Sequence, residues 1–188
     1  MYGAPWCPDC RRAKKFLGEH QIAYDWIGIE EDKERLRFVE RAQNGGRTIP
    51  MLVFADGSQL AEPSSEELAR KLGLDLEASQ EFYDMAIIGG GPAGRTAVIY
   101  AAREGIDAIV IDRGSLGGQA GVTDRIENFP GFPDGIGGAE LAERFVTQVQ
   151  RSGGELLEAV GIEDPEADVD DVALHLSTGQ KLCARAPC

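Results

Sequence analysis

The sequence predicts an α/β chain folded in two parts, on three observations. The first 73 residues alternate short apolar runs with charged, amphipathic stretches in the order β-α-β-α-β-β-α. Further on, a continuous apolar run leads straight into a glycine-rich turn and a helical pattern. Glycine makes up 24 of the 188 residues and clusters after Gly89 without a fixed period. That is nearly twice the ~7% norm and marks special turns.

Each element has a local reason. Met1-Tyr2-Gly3 reads as a strand stub, and a helix should run from Pro8 to about Leu17 with Gly18 as its stop. Proline suits the first helical position, where its missing N–H would be unpaired anyway. Ala23 to Ile29 reads as a strand, Glu31 to Gln43 as a charged helix stopped by Asn44-Gly45-Gly46, and Met51 to Phe54 as a short strand. Asp56-Gly57 signals a hairpin, and Ser64 with Glu67 a capping box for a helix ending at Gly73. The domains expected are residues 1–74 and 83–188, joined by a linker over 75–82. The second holds strands at Tyr83 to Ile88 and Ala108 to Asp112 around a helix from Pro92 to Glu104. A long loop over 113–138 follows, then a helix from Glu140 to Arg151. Short strands should occupy Leu156 to Ile162, Val172 to Ser177 and Lys181 to Ala184, with the acid run Glu163 to Asp171 as a solvated loop.

Charge is divided as the glycines are. Residues 1–79 carry a net −3 and residues 80–188 a net −10, for −13 in all. So acidic a surface repels phosphate backbones, which argues against nucleic acid as a partner. No run approaches the ~20 apolar residues of a membrane span, and the start does not read as a signal peptide. Four cysteines, two of them three apart, do not make a secreted disulfide framework; a reducing, cytoplasmic setting is expected.

Trp6-Cys7-Pro8-Asp9-Cys10 is the first chemical motif. Cys7 should sit just before a helix, where unpaired N–H groups and the dipole favour an anion, and the thiolate is the nucleophilic form of cysteine. Cys10 lies one turn on, on the same face, so it can attack a mixed disulfide on Cys7. Arg11, Arg12, Lys14 and Lys15 add positive potential and Asp9 opposes it. Two cysteines at this spacing are also half of a zinc site, with Cys183 and Cys188 as the available further ligands. Thr48-Ile49-Pro50 before a short strand suggests a cis bond at Pro50, against the alternative of an ordinary trans proline at a sheet edge.

Tyr2 to Arg11 together with Thr48-Ile49-Pro50 resemble the glutaredoxin-like redoxins of the thioredoxin fold, over residues 1–73. The resemblance implies Cys7 as nucleophile, Cys10 as resolving thiol, Pro50 as the cis-proline, and a disulfide-containing protein or a small thiol as partner. Glutathione-using members often carry a basic residue where this chain has Ala4, and Gly-Gly with an acidic pair where it has Glu62-Pro63-Ser64-Ser65-Glu66. Glutathione-linked, mycoredoxin-like and reductase-coupled roles all stay open.

Gly89, Gly91 and Gly94 make G-x-G-x-x-G between a buried strand and a helix. The first glycine allows the turn, the second a close pyrophosphate, and the third tight helix–strand packing, with phosphates at the helix N-terminus. Asp112 follows 18 residues after Gly94 at the end of the next strand, where an acid can bind ribose hydroxyls. A purely structural glycine turn is the alternative. Gly89 to Gly94, Gly117-Gly118-Gln119 and Glu127 to Gly131 are similar to the start of the FAD domain of low-molecular-weight thioredoxin reductases. This implies a Rossmann-like FAD-binding domain with Gly91, Pro92 and Ala93 along the pyrophosphate and Asp112 and Arg113 at the adenosine ribose. It also implies Gly118 and Gln119 along the flavin, Asn128 near the flavin and ribityl chain, and the Val160 backbone at the adenine. Gln119 and Asn128 could equally serve as loop hydrogen-bonding residues. Asp112 stands where the family often has glutamate.

Neither the family's Ala-Thr-Gly turn nor a second dinucleotide motif is in the sequence, and the first strand is short. The expectation is therefore a piece of a redoxin–reductase fusion, cut at both ends and incomplete in its second domain. It should exchange disulfides through Cys7 and hold FAD weakly or not at all, with NADPH and a possible homodimer belonging to the intact protein. A redox-reporting nucleotide-binding module and an inert truncated product are the rival readings. His20 and His175 suggest no triad or metal site, and Cys183 and Cys188 no motif.

Overall fold

A computed structural model describes residues 1–20, 22–30, 33–114, 123–167 and 171–187. The chain divides into two compact units, Met1–Leu68 and Ala69–Cys188.

The first unit is built on a four-stranded sheet in the order β2-β1-β3-β4. Its strands are β1 (Tyr2–Gly3), β2 (Ile27–Gly28), β3 (Met51–Val53) and β4 (Gln59–Ala61). β1 is central, parallel to β2 and antiparallel to β3. The expected strand over 23–29 shrinks to Ile27–Gly28, because its partner in the ladder is only Tyr2–Gly3. β3 and β4 form the expected hairpin, with Gly57 at φ +82° and the Asp56 carboxylate accepting from the backbone and hydroxyl of Ser58.

Helix α1 (Pro8–Glu19) buries Ala13, Phe16 and Leu17 and runs through Gly18 instead of stopping there. A helical glycine costs about 1 kcal/mol, while each large apolar side chain buried on this face contributes ~1.5–3 kcal/mol. Packing therefore outweighs the local preference. Helix α2 (Lys33–Ala42) buries Val39 and ends where expected, with Asn44 and Gly45 at positive φ. Helix α3 (Ser65–Lys71) has the capping box: the Glu67 carboxylate accepts from the Ser64 N–H and the Ser64 hydroxyl from the Glu67 N–H, at 2.7 and 3.1 Å.

The second unit carries a six-stranded sheet in the order β7-β6-β5-β10-β9-β8. β5 (Phe82–Ile88), β6 (Ala108–Asp112) and β7 (Glu155–Glu158) are parallel, with helices α4 (Pro92–Arg103) and α5 (Gly138–Ser152) as crossovers. Ile87, Val98, Ile99, Val110 and Val149 form the core between sheet and helices. Arg95 is buried on α4 and donates to the Ala142 carbonyl on α5 at 3.0 Å, tying the helices together.

In the second unit three elements differ from expectation. The run 156–162 is not one strand: β7 ends at Glu158, Ala159 turns at φ +60°, and β8 (Ile162–Ala167) begins afresh. The acid run is therefore not all loop; residues 162–167 pair with β9 (Val172–Leu176) as a sheet edge. An edge strand needs partners on one side only, so Pro165 and exposed acids are tolerated there. The last strand, β10 (Lys181–Pro187), is longer than expected and lies between β9 and β5, parallel to β5. Of the expected linker, Ala78 is bonded through its N–H and C=O to the Gln180 side chain. The Glu155 carboxylate accepts from Ser79 and from the Tyr83 hydroxyl.

Candidate functional site

Two sites emerge, one in each unit. The first is the dithiol. Cys7 is the N-cap of α1 and Pro8 the first helical residue. The Cys7 sulfur accepts from the Cys10 N–H at 3.0 Å, so a thiol occupies the place that serine or aspartate usually takes at a helix start. The Cys7 thiol donates to the Ile49 carbonyl at 3.6 Å. Thr48-Ile49-Pro50 therefore lies alongside the cysteine, and the Ile49–Pro50 peptide is cis, as the sequence suggested.

The segment is pinned from both sides. The Gln43 side chain bonds both the N–H and the C=O of Thr48, and the Glu62 N–H donates to the Pro50 carbonyl at 2.7 Å. Both cysteines are free thiols and both are buried, Cys10 the more deeply. Burial first, and then the hydrogen bond between the two thiols, pushes Cys10 up to about 12. Of the nearby charges, Asp9 and Arg12 pair with each other at 2.5 Å, and Trp6 stands exposed with its indole N–H on Glu30.

Sequence reasoning missed Gly3, Trp26 and Gln43, and treated Lys14 only as one of four nearby cations. An added Cβ at Gly3 would lie 2.6 Å from the Cys10 sulfur and 2.7 Å from Cη2 of Trp26. The signal was a glycine inside a strand, which marks close approach. Lys14 lies over the Trp26 ring, 3.2 Å from its centroid. Among the described residues no cluster of three His, Cys, Asp or Glu side chains could hold a metal, and Cys188 lies outside the described residues.

The second site is the glycine-rich turn. Gly89 has φ +108°, and Gly94 approaches so closely that an added Cβ would lie 2.1 Å from the Gly89 carbonyl oxygen. Gly91 caps α4 without a side-chain bond, and Pro92 and Ala93 begin the helix. The first-turn amides are thus left facing outward for an anion. The Asp112 carboxylate accepts from the Gly90 and Gly114 N–H groups at 2.6 and 2.7 Å, fastening the turn to the end of β6. A cavity of about 370 Å³ opens there, lined by Ile88, Gly89, Ile111, Asp112, Arg113, Val160 and Ile162. The Val160 N–H donates to the Asp112 carbonyl, so the turn after β7 closes the far wall. Asn128 is exposed, while Gly118 and Gln119 lie outside the described residues.

Together these define a class: a thioredoxin-like unit with a helix-capping dithiol, followed by a Rossmann-like unit with a phosphate-type glycine turn. Comparison with known proteins sharpens it. Residues 1–58 match the glutaredoxin family and residues 83–184 the pyridine nucleotide-disulphide oxidoreductase family. A putative glutaredoxin of Mycobacterium tuberculosis is 42% identical over 72 residues, 38% of this chain and 86% of that protein. The bifunctional thioredoxin reductase/thioredoxin of Mycobacterium leprae is 39% identical over 113 residues, 58% of this chain and 24% of that one. The crystal structure of thioredoxin reductase from Streptococcus pyogenes superposes with a TM-score of 0.54 at 34% identity, covering 58% of this chain and 35% of that one. The chain belongs to the glutaredoxin family through its first unit and to the pyridine nucleotide-disulphide oxidoreductase family through its second. It spans 15–30% of the length of the curated thioredoxin reductases it matches. Among the described residues no helix is long and apolar enough to cross a membrane.

Proposed function

We propose that this chain is a thiol–disulfide oxidoreductase of the thioredoxin reductase type, working through Cys7 and Cys10 on disulfides of proteins or small thiols. The observation that carries the reading is the 3.0 Å bond from the Cys10 N–H to the Cys7 sulfur, at a helix start beside the Ile49 carbonyl. The Cys7 thiolate attacks one sulfur of a bound disulfide. A Cys7–substrate bond forms, the substrate S–S bond breaks, and the leaving thiolate takes up a proton. Cys10 then attacks Cys7, the internal disulfide closes, and the second substrate thiol is released. Pro50 holds the Ile49 backbone beside Cys7, where an extended partner can lie.

The residues of the second unit fit the adenosine diphosphate half of FAD. Ala93 and Gly94 offer N–H groups at a helix start without a side-chain cap, Pro92 has none to offer, and Gly89 and Gly91 allow the pyrophosphate a close approach. Asp112, Arg113 and Val160 line a cavity for the ribose and adenine. By family resemblance Gly118, Gln119 and Asn128 would face the flavin. When bound, FAD would supply two-electron transfer between NADPH and a disulfide in a chain as long as the reductase relatives. A redoxin on the same chain would then meet its reductase at raised effective concentration.

The test uses the full chain with Cys183→Ser and Cys188→Ser, which leaves Cys7 and Cys10 as its thiols, reduced and mixed with a chromogenic aromatic disulfide. Cys7→Ser is expected to abolish release of the coloured thiolate. Cys10→Ser is expected to release one equivalent and stop as a mixed disulfide visible by mass. Release undiminished in Cys7→Ser overturns the reading.

A further inference from the structure

We propose that Lys14 is a positioning residue for the second half of the exchange: seated on the Trp26 ring one turn beyond Cys10, it keeps a cation beside the resolving sulfur while that sulfur closes on Cys7. The inference rests on the dithiol reading above and adds to it the device that makes Cys10 reactive.

Cys10 and Lys14 are four residues apart on α1 and so share a face. A lysine on a surface helix normally keeps its ammonium in water. Here Lys14 is half-buried and laid on an indole face, its Nζ 3.2 Å from the ring centroid. The edge of that indole faces the Cys10 sulfur across Gly3, whose missing side chain leaves room for both. Gly3, Trp26 and Lys14 thus form one assembly around Cys10.

The groups that act on this sulfur are few. Burial and the Cys7 thiol hold its proton; the Ala4 backbone and the Lys14 charge favour its release. Two other cations of α1 act elsewhere or lie in the open. Arg12 pairs with Asp9 and donates to the Pro63 carbonyl, and Arg11 is exposed. Resolution needs a thiolate at Cys10. Its proton passes to water, the Cys10 sulfur attacks Cys7, the Cys7–Cys10 bond forms, and the bond from Cys7 to the substrate breaks. The electron pair leaves on the substrate sulfur, which takes up a proton. The dithiol is oxidised and the substrate disulfide reduced by two electrons. A fixed cation beside the sulfur stabilises the charge that develops in the first of these steps.

The experiment follows the two releases of coloured thiolate by stopped flow, using the reduced full chain with Cys183→Ser and Cys188→Ser and one equivalent of an aromatic disulfide. The first release reports attack by Cys7 and the second resolution by Cys10. A nearby opposite charge favours the thiolate, and the loss of nucleophilicity on the more acidic thiol cancels part of that gain. Lys14→Met is therefore expected to slow the second release roughly three- to tenfold while leaving the first within about twofold. Lys14→Arg, which keeps a cation for the indole face, is expected to retain most of the wild-type second rate. Trp26→Leu, which removes the seat, should slow the second release with the lysine still present. An unchanged second release in Lys14→Met, equal slowing in Lys14→Met and Lys14→Arg, or equal slowing of both releases overturns the proposal. Failure of the underlying reading looks different, since Cys7→Ser would then still release the chromophore.

Discussion

The two units are both α/β, yet they put their chemistry in opposite places. The first carries it in side chains: a sulfur caps α1, and a second sulfur is packed against Gly3 and Trp26. The second carries it in backbone. Its turn is a chain of glycines fastened by Asp112, and the groups it presents are amides and a cavity. A site made of side chains is complete once folded, whereas a site made of amides is a cradle whose reacting group must come from outside. Glycine serves both, for different reasons. Gly3 makes room for a nucleophile's partner, while Gly94 lets a helix reach a strand.

The sharpest way to separate the units is Gly94→Ala. Its Cβ would lie 2.1 Å from a backbone oxygen that cannot swing away. We expect this to destabilise the second unit by about 3 kcal/mol or more, the upper end for overpacking. Binding of ADP, measured by calorimetry, should be lost with it. Both tryptophans, Trp6 and Trp26, belong to the first unit, so their emission should report an unchanged first transition. Chromophore release through Cys7 should also stay at the wild-type rate. Loss of both would show that the cradle supports the dithiol.

Gly3→Ala is the mirror experiment. The new methyl would meet the Cys10 sulfur at 2.6 Å and the Trp26 ring at 2.7 Å, and side chains can shift where backbone cannot. The expected cost is smaller, ~1–3 kcal/mol, and confined to the tryptophan-reported transition. ADP binding should not change. A cost that appears instead in the second transition would break the division of labour.

How much of this was legible follows the same division. The dithiol, Pro50 and the three glycines of the turn were readable because each is a local rule written in adjacent residues: a helix start, a proline before a strand, a turn that needs positive φ. The roles of Gly3, Trp26 and Gln43 were not, because they depend on contacts across strands and helices that no spacing encodes. The elements misjudged also have physical causes. Local preference makes Gly18 a stop, but burial of Phe16 and Leu17 carries the helix past it. The acid run reads as solvated loop because acidic side chains favour water, and Glu163, Asp164 and Glu166 are exposed; β8 is held by backbone pairing with β9, which leaves no mark in composition. The direction of β10, parallel to β5, follows from topology beyond the reach of a local pattern.

The gentlest slope compares the units through pH, where each unit of pH moves stability only a little. Burial pushes Cys10 from its ordinary 9.0 up to about 12, and burial followed by the Glu155 hydrogen bond pushes Tyr83 from 10.0 up to about 12. Both are acids whose folded form keeps a proton that the unfolded chain gives up. Their contribution is therefore fully present below the unfolded value and is lost as pH rises towards the folded one. For the first unit the Cys10 loss runs from about pH 9 to about pH 12; for the second the Tyr83 loss begins about one unit higher. Each group adds at most about 1.4 kcal/mol per pH unit to the slope. Urea melts at stepped pH, read by tryptophan emission and by circular dichroism, should show the earlier decline in the first unit. Cys10→Ser should flatten only the first-unit slope and Tyr83→Phe only that of the second. If either variant flattens both slopes, the units do not unfold as separate bodies and the contrast between them fails.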